Sequence, residues 1–214
     1  MASPRRRASI RWTPDGRRCL TSRMIRADVF RDQPVLHGAS IRLEPQEERH
    51  FDGIWRMLGD AESTRLTGTH QKFSEPQIRR WLATRHEHHD RADWAIVRRA
   101  DDVVVGEVVL NDLDVNNASV NLRIGLAGPE VFGRGYGTEA TRLVVDYAFD
   151  VAGLHRISLD VLDVNPRARR VYEKCGFTVE GVHREALRWD GRWHDAVFMA
   201  LLSTDPRPSV SAPA

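Results

Sequence analysis

Residues 128–149, GPEVFGRGYGTEATRLVVDYAF, decide how the rest of the chain is read. Gly133, Gly135 and Gly137 alternate with Arg134 and Tyr136, and a helical pattern follows. Ala140, Leu143, Val144, Tyr147, Ala148 and Val151 recur on one helical face. Glycines carry no Cβ, so their amides approach a ligand closely. The amides of 133–138 converge with the positive end of a helix beginning near Thr138, an arrangement that suits a pyrophosphate. Arg134 adds charge at the rim. The alternative is a turn that only lets a strand pass into a helix.

Upstream, SIRLEP (40–45) alternates as a strand, and 46–58 reads as a helix with Phe51, Ile54, Trp55 and Leu58 on one face. Ser74 and Gln77 form a capping-box pair that opens a helix running to about His88. Strand-like segments follow at 94–99, 103–110 and 118–126, and their short links favour antiparallel neighbours. Downstream come a strand at 155–162, a short helix at 166–175 stopped by Gly176, and strands near 177–187 and 193–202. Asp190-Gly191 is a hairpin signal between the last two. The order predicts a mixed α/β domain with a mostly antiparallel sheet.

A dinucleotide site is the rival reading. Gly135, Gly137 and Ala140 fit G-x-G-x-x-A, and Asp160 lies where a ribose-binding acid belongs. However, AGPEVF separates the strand from the glycines, and too little chain follows for further strand–helix crossovers. A Walker loop is excluded because no Gly-Lys-Ser/Thr occurs.

FGRGYGTEA, followed by NPRARRVYEKCGF, resembles the acetyl-coenzyme-A-binding core of the GNAT acetyltransferase superfamily. Phe132–Gly137 fill the first part of the family pattern; Asn165, Tyr172 and Gly176-Phe177 fill the second. Phe132 stands where many members carry Gln or Arg. The opening LHGASIRLEP and the ending REALRWDGRWHDAVFMALL resemble the RimJ/RimL-like branch, which acetylates ribosomal-protein N-termini. The likeness covers residues 36–203. It implies a GNAT fold with a central twisted sheet whose strands splay at the acetyl-CoA site. It also implies direct attack of an amine on the thioester in a ternary complex. Backbone of the Leu122–Leu126 strand, Ile124 and Leu126 included, then binds the pantetheine beside Asp160. The amides of Phe132, Gly133, Arg134, Gly135, Tyr136, Gly137 and Thr138 take the pyrophosphate, and Asn165 and Arg169 hold the cofactor. Asn165 equally serves as a helix N-cap.

The same likeness makes Tyr172 the group that protonates the leaving thiolate, a thiol of pKa near 8.5. A core tyrosine is the alternative. Glu107, a carboxylate among valines, is the candidate base; a solvent-facing carboxylate is the plainer reading. Asp112 and Asp114 are weaker options in a turn. His86, His89 and Asp90 can share a helical face, but no distant further ligand accompanies them, so no metal is expected. The acceptor is an amine on a protein N-terminus or on a small molecule such as a polyamine, amino acid or antibiotic. A non-catalytic acyl-CoA-binding module is the third reading.

Bulk properties fit this. In 214 residues, 41% are hydrophobic and 29% charged, as in a soluble domain with a core. No apolar run approaches a membrane span. Cys19 and Cys175 match no metal or disulfide spacing, which points to a reducing cytoplasm. Residues 1–38 carry nine Arg against three Asp and read as a flexible basic extension rather than a secretory signal or nucleic-acid arm. Residues 39–204 form the domain, and 205–214 a disordered Pro/Ser-rich tail. Exposed strands and a Trp-rich end leave a homodimer open.

Overall fold

Alternating and β-branched segments assemble into one eight-stranded sheet in the computed structural model, which describes residues 11, 12, 18, 19 and 25–208. The strands are β1 (Leu36–His37), β2 (Ile41–Pro45), β3 (Ala92–Arg98), β4 (Val104–Asp114), β5 (Ser119–Leu126), β6 (Arg156–Leu162), β7 (Thr178–Trp189) and β8 (Arg192–Leu202). Their spatial order is β1-β2-β3-β4-β5-β6-β8-β7. The sheet is mixed, where the sequence leads one to expect a mostly antiparallel one. β5 and β6 run parallel, and the other neighbouring pairs run antiparallel. The connection explains this. β5 reaches β6 through α4 (Tyr136–Asp146) and a π-helical turn (Tyr147–Val151), and a crossover of this length returns the chain in the same direction.

β5 and β6 touch only where Ser119–Asn121 meet Arg156–Ser158. Beyond that point β5 stays with β4 as far as Leu126, and β6 stays with β8 as far as Leu162. The sheet therefore opens into a V at its centre.

Helices cover both faces. α4 buries Ala140, Val144 and Val145 in the main core with Val105, Val108, Leu122, Ile157 and Leu159. α5 (Pro166–Lys174) adds Tyr172 to that core. On the other side, α1 (Phe51–Gly59) and α3 (Glu75–Ala83) form a smaller cluster of Phe51, Ile54, Ile78 and Leu82 against Val104. Gly53 lets α1 sit close, since a Cβ there would lie 2.3 Å from the Val104 Cβ. The expected helix at 46–58 divides into a 3-10 turn (Glu48–His50) and α1. The Ser74–Gln77 capping box forms, but α3 ends at Ala83 rather than His88. Sequence reading misses α2 (Ala61–Thr67) because AESTRLT has no apolar period. Capping makes it a helix instead. The Asp60 carboxylate accepts the Ser63 N–H at 2.7 Å, and Gly68 closes the last turn at φ 64. The β7–β8 hairpin turns at Asp190-Gly191, with φ 46 and 80, as read from the sequence.

Residues 25–38 correct the expectation of a flexible extension over 1–38. Phe30 is fully buried against Tyr147, the Trp94 indole N–H donates to the Pro34 carbonyl, and Leu36–His37 pair with β2. At the other end Arg207 is held by Asp146 and Asp150 at 2.9 Å, so residues 205–208 also belong to the domain. Residues 209–214 and most of 1–24, the rest of the expected tails, lie outside the described residues. Among the described residues no helix is long and apolar enough to cross a membrane.

Candidate active site

Two clefts, each of about 380 Å³, flank the splayed strands. The first runs past the glycine turn. α4 begins at Tyr136, two residues before Thr138, with Gly135 as its N-cap at φ 85. Gly133 stands at φ 71. These left-handed backbones demand glycine, and among the described residues a Cβ at either would meet no atom within 4 Å beyond its own chain neighbours. Both therefore face cleft space. Gly137 differs: it lies inside α4 with no left-handed backbone. The opening amides of α4 have no helical partner and point out of its N-terminus.

Backbone parity places the other wall. The Leu126 carbonyl accepts from the Ser63 hydroxyl at 2.7 Å, and the Ala118 carbonyl accepts from the His155 and Arg156 N–H groups. Even-numbered residues of β5 thus turn their backbone away from β4. Ile124 and Leu126 present peptide groups to the gap that β6 has left.

Tyr172 and Asn165 stand where the clefts meet. Tyr172 is buried, with its ring 5.9 Å from that of Phe177. Burial, with Cys175 adding to it, raises the phenol above its ordinary range, so it holds its proton at neutral pH. Asn165 caps α5: its side-chain oxygen accepts the Ala168 N–H at 3.1 Å, and its Nδ2 donates to the Leu66 carbonyl at 3.3 Å. It ties α5 to α2 across the site.

The second cleft lies on the α1–α2 side of the sheet and includes Glu107, Asn121, Arg123, Asp160 and His183. Glu107 is half-buried and accepts from the Gln46 amide at 2.7 Å. Burial pushes its carboxyl above the usual carboxylate range; the Gln46 N–H opposes this, and Asp93 adds to it. Asp160 lies 3.4 Å from the His183 Nδ1, and the His183 ring stacks on Phe198 at 5.6 Å.

Residues 40–178 match the acetyltransferase (GNAT) domain family. The chain belongs to the GNAT family of N-acetyltransferases. It is 34% identical over 160 residues to "Probable N-acetyltransferase YjcK" of Bacillus subtilis, covering 74% of this chain and 84% of that one. It is 32% identical over 123 residues to the spermidine N(1)-acetyltransferase of Vibrio cholerae, covering 58% and 70%. YdaF of Bacillus subtilis, provisionally named a ribosomal N-acetyltransferase, is 32% identical over 105 residues, 49% of this chain and 57% of that one. In fold it resembles the crystal structure of the Vibrio cholerae spermidine N-acetyltransferase in complex with CoA and spermine. The TM-score is 0.72 at 23% identity, covering 78% of this chain and 98% of that one. GNAT enzymes use acetyl-CoA.

In this GNAT domain Ile124, Leu126, Phe132–Thr138, Asn165 and Tyr172 all line the first cleft. Arg134 is exposed and donates to the Glu130 carbonyl at 2.8 Å. Arg169 does not line it; it pairs with Glu173 at 2.9 Å. Arg167, Arg170 and Lys174 line the cleft instead, and their three- and four-residue spacing on α5 is the signal that marks them. Asp112 and Asp114 line neither cleft, and Asp114 holds its own turn through Asn117. Among the described residues no group of three or more His, Cys, Asp or Glu side chains is placed to hold a metal ion. Sequence reasoning misses Ser63, which lies on the unforeseen α2, and the pairing of Asp160 with His183, which needs the β6–β8–β7 order.

Proposed function

We propose that the two clefts hold acetyl-CoA and a primary amine at once, and that the acetyl group passes between them at the splay of β5 and β6. The carrying observation is that Tyr172 and Asn165 border both clefts. The residues present fit the cofactor. Gly133 and Gly135 leave open space before a helix N-terminus that favours an anion, and Arg167, Arg170 and Lys174 supply cations beside it. Ile124 and Leu126 offer strand backbone to an amide-bearing arm. Acetyl-CoA supplies the activated acyl carbon. Holding both reactants in one geometry contributes up to about 7–11 kcal/mol.

On the acceptor side, Glu107 takes a proton from the attacking amine, directly or through water. Opposite it, Tyr172 donates a hydrogen bond, and then its proton, to the departing sulfur. Burial raises the phenol, and it penalises a thiolate departing into the same site as well, so the sulfur becomes basic enough to take the Tyr172 proton; the phenolate left behind is reprotonated from water.

The acceptor we favour is a protein N-terminal amine, of RimJ/RimL type. Its pKa of about 7.7–8 leaves a useful neutral fraction near pH 7.5. YdaF is a relative whose name points the same way. A polyamine acceptor is the second reading, supported by the spermidine acetyltransferase relatives and by the two carboxylates, Glu107 and Asp160, in the second cleft. The reaction is expected in the cytoplasm.

A titration with acetyl-CoA, with NADH alongside, tests the cofactor assignment. Acetyl-CoA at about 100 times its dissociation constant stabilises the fold by about 2.7 kcal/mol, and NADH does not. CoA release is then followed with Ala- and Ser-initiated peptides and with spermidine. Stabilisation without CoA release from any amine would leave a binding module and overturn the enzymatic reading of this chain.

A further inference from the structure

Glu107 does not stand alone. Behind it lies a knot of buried charge that touches neither cleft. Asp93 on β3 is buried, and its carboxylate is gripped by Arg85 at 3.1 Å and by Arg91 at 2.9 and 2.6 Å. Arg85 comes from the turn after α3 and is itself buried, with its guanidinium stacked 3.8 Å from the Trp81 ring centroid. Among the described residues its Nε and Nη2 find no hydrogen-bond partner.

Such an arrangement is costly. Buried ion clusters rarely stabilise a fold more than apolar side chains of the same shape would. Here both guanidiniums lie over the Trp81 ring, at 3.8 and 4.9 Å from its centroid. The cost of the cluster calls for a role.

Register supplies the role. Ala95 of β3 lies opposite Glu107 of β4, and Asp93 lies opposite Val109. Asp93 and Glu107 therefore project from the same face of the sheet as diagonal neighbours, about 7–8 Å apart. Gln46 joins them. Its backbone N–H donates to the Asp93 carbonyl at 2.9 Å, and its side-chain amide donates to the Glu107 carboxyl at 2.7 Å. Gln46 is buried, so the bridge is shielded from water.

We infer that Asp93, fixed between Arg85 and Arg91, is a positioning residue for the acceptor side, acting on Glu107 through its charge and not through contact with substrate. The inference rests on Glu107 being the acceptor-side base. Other charges face Glu107 as well. Arg123 on β5 and Arg91 favour its ionised form, and Asp93 opposes it. Arg85 is also within electrostatic reach of Glu107, and β6 and β7 bring Asp160 and His183 to the same cleft. α1 presents uncharged Met57 and Leu58 to the cleft. Glu44, on β2 opposite Ala95, is occupied by Arg42, Arg49 and His50.

The arrangement makes predictions of opposite sign, which simple loss of stability cannot imitate. In the full chain labelled with δ-¹³C glutamate, Glu107→Gln assigns the Glu107 signal. Asp93→Asn should then lower its titration midpoint by about one pH unit, and Arg91→Gln should raise it by about one. If Asp93→Asn fails to fold, Arg91→Gln, altered at a partly exposed side chain, carries the test. Midpoints that stay within about 0.3 unit of wild type in the folded variants, or that move the same way in both, overturn the inference. The acid limb of kcat/KM, with spermidine or an Ala-initiated peptide as acceptor, should follow the midpoint. A midpoint that moves while the limb stays fixed would uphold the coupling and remove Glu107 from the role of base.

Discussion

The two clefts that meet at Tyr172 are built by different means. The first cleft, where we propose that the cofactor binds, is made largely of backbone: two left-handed glycines, the first amides of α4 and the splayed edge of β5. The second cleft, proposed for the acceptor, is made of side chains gathered from distant segments, with Glu107 hydrogen-bonded to Gln46 across 61 positions and Asp160 beside His183. Backbone recognises what every member of a fold family shares, and side chains can be exchanged one at a time. The contrast explains why one fold can keep a cofactor while changing its acceptor.

Substitutions break this contrast in measurable ways. The largest effect belongs to the boundary itself. Tyr172→Phe should lower kcat by about 10²–10³-fold, the range of a lost general acid, while calorimetry finds acetyl-CoA affinity unchanged. Gly135→Val comes next. A β-branched residue at φ 85 strains the N-cap and fills the cleft, so acetyl-CoA affinity should fall by about 100-fold with acceptor binding spared. A weakening of acceptor binding by the same factor would show that the sides are not separable.

Glu107→Gln inverts the pattern. It should reduce kcat by about tenfold or more yet raise the melting temperature near pH 8. The sign follows from the raised folded-state carboxyl. The folded protein binds the Glu107 proton more tightly than the unfolded chain does, so stability declines as pH rises from the ordinary carboxylate range through the folded midpoint. Above that midpoint the whole penalty is present, and Gln removes it. A variant no more stable than wild type at pH 8 would contradict this. The smallest effect is structural. Asn165→Ala removes a cap worth about 1 kcal/mol and should lower the melting temperature by about 2–4 °C.

Most of the residues that line the first cleft were legible in the sequence because they are local. The glycine turn, Asn165, Tyr172 and Gly176-Phe177 are read within two short segments, and each caps or lines an element beside it. Most strands were legible too, as was the Asp190-Gly191 turn. What escaped is held by contacts between distant segments. α2 depends on its caps and on the Ser63 bond to β5, not on an apolar stripe. Residues 25–38 look like part of a basic arm until Phe30 is seen inside the core. Arg170 differs from Arg169 only in its spacing from Arg167 and Lys174, and the turn of α5 sends Arg169 to Glu173 and Arg170 to the cleft.

The outermost strand, β7, carries a hazard of its own. Among the described residues nothing pairs with its outer side, and its twelve residues expose Val179 and Val182. A long bare edge of this kind is where neighbouring molecules stack into aggregates. Here it is guarded by irregularity. The β8 register slips between His194 and Ala196, Glu185 takes a left-handed φ of 53, and Arg184, Glu185 and Arg188 set charges along the strand. The bulge and the charges oppose the addition of a further strand along this edge.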